Sequence, residues 1–139
     1  MIERARLGPD DVLFDLGCGD GRIVIEAARR HGCRGVGIEL DPALVEQSRQ
    51  NARAAGVDRL VEFRVQDATK ADFTTATVVM LYLLPESNAL LRPVLERQLR
   101  PGARVLSHNY AIPGWDEKLV EDASLSEGGE MHYVYVYRR

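Results

Sequence analysis

Cysteine is scarce in this sequence: only Cys18 and Cys33 occur. They have neither CxxC nor Cys/His ligand spacing, so a disulfide framework and a structural metal site are both disfavoured. Long apolar runs are missing too. The longest, such as Thr77 to Leu84, fall far short of the roughly 18 to 20 residues of a membrane-spanning helix. The start, Met1-Ile2-Glu3-Arg4, shows no signal-peptide pattern, so a cytoplasmic protein with reduced thiols is expected. Basic charge is in deficit, with 18 Lys and Arg against 21 Asp and Glu and a net charge of -3. No basic stripe announces nucleic acid, which is not expected as a partner. Lys70 and Lys118 are the only lysines. Linkers and low-complexity segments are absent, and 139 residues with 45% apolar and 28% charged side chains suit one domain with its own core. Residues 1–139 are expected to form that single domain, as a monomer or weak dimer.

What is present is an alternation of β-like and helical stretches, the α/β signature. Val12 to Leu16 reads as a buried strand, Gly17 to Gly21 as a turn, and Arg22 to Arg30 as a helix stopped by Gly32. Gly35 to Glu39 predicts a second strand. Asp41 caps and Pro42 opens the next helix, which ends at Gly56. Leu60 to Val65 and Ala76 to Leu83 predict two more strands, with a weak helix between them around Ala68 to Phe73. Ser87 is expected to cap a helix that Pro93 kinks or splits. Arg104 to His108 predicts a fifth strand, and Lys118 to Tyr137 a terminal hairpin turning at Glu127 to Glu130. The expected fold is therefore a Rossmann-like, open and mostly parallel sheet, with helices on both faces and an antiparallel hairpin at its end.

The motif Asp15-Leu16-Gly17-Cys18-Gly19-Asp20-Gly21 joins a strand to a helix, where backbone N–H groups are expected to point at a nucleotide-like ligand. A dinucleotide fingerprint would place its third glycine where Arg22 stands, and no GK[ST] follows, so NAD and ATP are disfavoured. Acids before and within the turn would repel a pyrophosphate. They suit a cation, and S-adenosylmethionine carries a sulfonium and an ammonium that Asp15 and Asp20 can face. Glu39 closes the second strand where an acid accepts from ribose hydroxyls. Asp67 follows the third strand, placed to accept from the adenine amine. No metal is expected.

On these residues the chain resembles the class I, seven-stranded S-adenosylmethionine-dependent methyltransferases over nearly its whole length. A narrower resemblance rests on Asp15 to Val24, Val78 to Pro85, Leu99 to His108 and Gly114-Trp115. These segments resemble the small protein-lysine methyltransferases that include an archaeal broad-specificity enzyme and mitochondrial enzymes acting on the adenine nucleotide translocase and on the c-type subunit of ATP synthase. The resemblance implies methyl transfer to lysine of protein substrates, with S-adenosylhomocysteine released. It implies cofactor contacts at Asp15, Gly17, Glu39 and Asp67, with Cys18, Gly19, Asp20, Leu40 and Ala68 beside them. Family members usually carry an N-terminal segment covering the cofactor, whereas about ten residues precede Val12, leaving only a short cover. After the fourth strand, Leu81-Tyr82-Leu83-Leu84-Pro85 lacks the amide-gripping residue of the Asp/Asn-Pro-Pro-Tyr box, which counts against a base-methylating enzyme.

Methyl transfer from a sulfonium is an in-line displacement in which the protein mainly orients, worth at best about 7 to 11 kcal/mol. A lysine must first lose its proton, costing about 4 kcal/mol at neutral pH. An apolar channel lined by Tyr82, Leu83 and Trp115 is expected to favour the neutral amine. Tyr82 and Trp115 are candidates for that wall, each with a plain packing role as the alternative. His108 is the candidate proton acceptor, ahead of His31 and His132. The acids Asp116, Glu117, Glu121, Asp122, Glu127 and Glu130 can steer a cationic substrate, or simply be a solvated surface. Two rivals stay open: an acceptor that is a small-molecule or other amine, and a cofactor-binding domain inactive without a cover or partner.

Overall fold

The protein is described by a computed structural model covering the backbone of residues 1–139 and every side chain except those of Leu125 and Glu127. The elements are α1 (Ile2–Ala5), β1 (Val12–Leu16), α2 (Arg22–His31), β2 (Arg34–Glu39), α3 (Pro42–Ala54), β3 (Val61–Val65), β4 (Val78–Leu81), α4 (Pro85–Gln98), β5 (Arg104–His108), β6 (Leu119–Glu127) and β7 (Glu130–Arg138). Short 3-10 turns cover Ala68–Lys70 and Asp116–Lys118. One sheet of seven strands runs in the order β3-β2-β1-β4-β5-β7-β6. The first five strands are parallel, and β7 runs antiparallel to both β5 and β6.

Both faces of the sheet are covered, so its central strands are apolar almost without a break. Phe14 and Leu16 of β1 pack with Phe73, Leu81, Leu91 and Trp115 on one side, while Leu13 packs with Ala27, Met80, Leu106 and Val134 on the other. Asp15 alternates onto the same face as Leu13, an acid inside a strand otherwise built for burial. Helix boundaries follow local chemistry. Gly32 closes α2 in the left-handed region, and its N–H donates to Ala28 O. Asp41 caps α3 by accepting from the Ala43 N–H at 2.9 Å.

Two expectations need correction. The helix predicted around Ala68 to Phe73 is only the turn Ala68–Lys70, because Ala71 and Phe73 leave it to fill the core. Helix α4 starts at Pro85, whose fixed φ suits a first helical position, and Ser87 lies in its first turn rather than capping it. Of the two outcomes expected at Pro93, the split does not occur: Pro93 and Ala89, whose carbonyl loses its partner, are both exposed, so water can replace the missing bond. The N-terminal segment is anchored on the sheet. Ile2, Ala5 and Leu7 pack with Leu13, Val134 and Val136, and the Ala5 carbonyl accepts from Arg104 Nε.

Candidate active site

Two clefts open at the carboxyl ends of β1, β2 and β4, where ligands of open α/β sheets bind. The first, of about 350 Å³, is walled by Gly17, Glu39, Asp67, Tyr82, Leu83 and Leu90 among others, with Leu40 and Ala68 at its edge. The second, of about 410 Å³, is lined by Asp15, Cys18, Gly19, Asp20, Arg22 and Leu44. Gly17 and Tyr82 line both, so the clefts meet at the glycine turn.

The turn's amides are spoken for. Gly17 and Cys18 N–H both donate to Ile38 O, at 2.8 and 3.0 Å, and Gly19 N–H donates to Glu39 Oε1 at 3.0 Å. The expected row of N–H groups aimed at a ligand is therefore absent at these three positions. This removes the feature that would hold a phosphate and strengthens the case against one. Gly17 is required for a different reason: at φ +84° a Cβ there would lie 2.7 Å from Leu83 Cδ2. The turn passes hard against the wall that Leu83 builds.

Charge at the site is unbalanced. Asp15 is 1% exposed, and its Oδ1 has no hydrogen-bond partner among the described residues. Burial, and then the charge of Glu39, push its carboxyl up to about 7. Glu39 spends its carboxylate on the local backbone, accepting from Gly19 N–H and from Asp41 N–H at 3.0 Å each. Asp20 is compensated instead: Arg22 grips it through Nε at 3.1 Å and Nη2 at 2.8 Å, which holds its carboxyl below the usual range. Asp67 caps the turn that follows it, and the Thr69 hydroxyl and amide keep it low as well. The orphaned oxygen of Asp15 beside Glu39 is thus a site for positive charge, and a cationic nucleoside fits these residues. Cys18, buried beneath the turn, is pushed up to about 12 by burial and then by Asp15 and Glu39.

The acceptor-side candidates divide. Tyr82 is 44% exposed and walls both clefts. His108 lines neither; it stacks on Tyr82 with ring centroids 4.0 Å apart. Trp115 is not brought to the site at all. It is 1% exposed, edge-on to Tyr137, and its Nε1 donates to Glu96 Oε1 at 2.8 Å, so the expected channel residue is a core residue. His31 ends α2 away from both clefts. Sequence reasoning missed Leu90 and Ser87, which the helical spacing of α4 sets on the rim, and Gln66 and Thr69, which flank Asp67. No group of His, Cys, Asp and Glu among the described residues could hold a metal ion.

A family model for the ANTKMT methyltransferase domain matches residues 15–119, from the buried acid of β1 to the start of β6. The chain belongs to this methyltransferase family. A protein-lysine N-methyltransferase of Saccharolobus islandicus is 38% identical over 99% of this chain and 84% of its own length. The adenine nucleotide translocase lysine N-methyltransferase of Mus musculus is 36% identical over 88% of this chain, which spans about half of that protein, 52%. Among solved structures, one described as an RNA methyltransferase from Salinibacter ruber in complex with S-adenosyl-L-homocysteine has a TM-score of 0.88. It shares 51% identity, covering 99% of this chain and 86% of that one.

Proposed function

We propose that the protein methylates side-chain amines of protein lysines from S-adenosylmethionine, with residues 1–139 acting as one catalytic unit. The observation that carries this reading is Asp15: a buried carboxyl with an oxygen unpartnered among the described residues, lining a cleft together with Ile23, Leu44 and Tyr82. The bound cofactor would supply a methyl group activated on a cationic sulfur. Asp15 and Glu39 offer the negative field for that cation, and Asp67 and Glu39 border the cleft that would take the nucleoside. Tyr82 and Leu83 line the place where an amine must arrive. An ammonium is disfavoured there by desolvation and by the neighbouring cation, which offsets part of the roughly 4 kcal/mol of deprotonation. The relatives named as lysine methyltransferases support this acceptor.

The Salinibacter relative, described as acting on RNA, makes RNA the acceptor to test against. A net charge of -3 opposes a polyanionic substrate and suits a lysine-rich one. The test is calorimetric titration with S-adenosylhomocysteine of wild type and Asp15→Asn, followed by labelled-methyl transfer to lysine-rich proteins, RNA and small amines in parallel. Label on lysine is the expected result. Label on RNA or on a small amine overturns the acceptor, and failure of wild type to bind overturns the cofactor.

A further inference from the structure

Beyond the cleft, a chain of three rings runs from its wall to the far strands of the sheet. Tyr82 follows β4, His108 ends β5, and His132 lies on β7. The Tyr82 and His108 rings are nearly parallel, 8° apart in plane. His108 Nε2 and His132 Nδ1 are 2.8 Å apart, so one of these nitrogens carries the proton and the other accepts it. The backbone around this contact is fixed by an unusual device. Asn109 takes a positive φ of 66°, its N–H donates to Tyr133 O at 2.6 Å, and its Oδ1 accepts from Tyr133 N–H at 2.9 Å. A non-glycine residue held left-handed costs energy and persists where neighbours over-determine it. Here it clamps the residue after His108 to the residue after His132.

We propose that His132 is a positioning residue: its hydrogen bond holds the His108 ring flat against Tyr82 and so fixes the acceptor-side wall of the cleft. The role in catalysis rests on the methyltransferase reading of the cleft; the alignment of the rings does not.

The test compares two variants of the full chain. His132→Asn keeps a polar atom at the distance of Nδ1 from Cβ and loses the ring, whereas His132→Phe keeps a ring and loses the bond. Proton NMR should show Tyr82 ring signals shifted by His108 in wild type and His132→Asn, with the shift lost in His132→Phe. Nitrogen spectra should show the His108 Nε2 and His132 Nδ1 signals coupled through one shared proton in wild type, with that coupling lost in His132→Phe. With a lysine-rich protein acceptor, His132→Phe should lower kcat about tenfold while S-adenosylhomocysteine affinity stays unchanged, and His132→Asn should keep most of the rate. A wild-type-like His132→Phe beside a defective His132→Asn would reduce His132 to packing and overturn the proposal. If wild type labels no protein, the lysine reading fails while the NMR signals still decide the positioning role.

Discussion

Asp11 and Asp15 stand four residues apart at opposite ends of β1, and the protein treats them in opposite ways. At the amino end, burial works to raise the Asp11 carboxyl, yet the Thr77 hydroxyl, the Gly8 N–H and Arg104 together bring it below its usual value. The bonds are short: 2.7 Å from Thr77 Oγ1, 2.8 Å from Gly8 N and 3.0 Å from Arg104 Nη2. At the carboxyl end, Asp15 is more deeply buried, has one oxygen without a partner, and faces Glu39 rather than a cation. One acid is built to stabilise the fold. The other has an oxygen with no partner among the described residues, open to a cationic ligand.

The comparison breaks most sharply at Asp15→Asn, which should weaken S-adenosylmethionine binding about a hundredfold by calorimetry while raising the thermal midpoint at pH 8. A fall in the thermal midpoint with cofactor affinity unchanged would make Asp15 a structural acid like Asp11. Next, Asp11→Ala should lower stability by about 2 kcal/mol in denaturant melts, because Arg104 and Thr77 lose their acceptor, and should leave cofactor affinity unchanged. The pH dependences should also separate. Asp15, whose folded value is raised, contributes stability below the ordinary aspartate range that is lost as pH rises through about 7. Asp11, whose folded value is lowered, contributes above that range and loses its contribution as pH falls through it. Cofactor binding that requires ionised Asp15 should strengthen about tenfold per unit as pH rises towards 7, a slope absent in Asp15→Asn. The smallest effect on function should come from Trp115→Phe, with methyl transfer within about twofold of wild type, although the lost Glu96 bond and the gap left against Tyr137 cost about 2 kcal/mol of stability.

Much of this was legible in the sequence because local and tertiary signals agree. The apolar run of β1, the glycine turn and the amphipathic start of α2 describe one unit without knowledge of its neighbours, and the strand-end acids Glu39 and Asp67 fall beside it once the strands are parallel. What could not be read depends on contacts distant in sequence. Nothing near Trp115 indicates that Tyr137 and Glu96 will enclose it, and nothing near Ile2 or Ala5 indicates that they will fill the space under β7. The pairing of His108 with His132 is invisible for the same reason, since the hairpin must first bring β7 beside β5. The glycine turn taught the subtler lesson: its residue types were readable, but which carbonyl would consume its amides was not.

Cys18 shows what the unbalanced acids mean for the protein's own safety. A thiol lining a cleft that would take a donor of electrophilic methyl groups is open to alkylation, and only its thiolate reacts readily. With its ionisation pushed up to about 12, Cys18 stays protonated across the physiological range. Burial does most of this, and Asp15 and Glu39 add to it. The two acids that offer the cleft a negative field therefore also add to the burial that keeps the Cys18 thiol protonated.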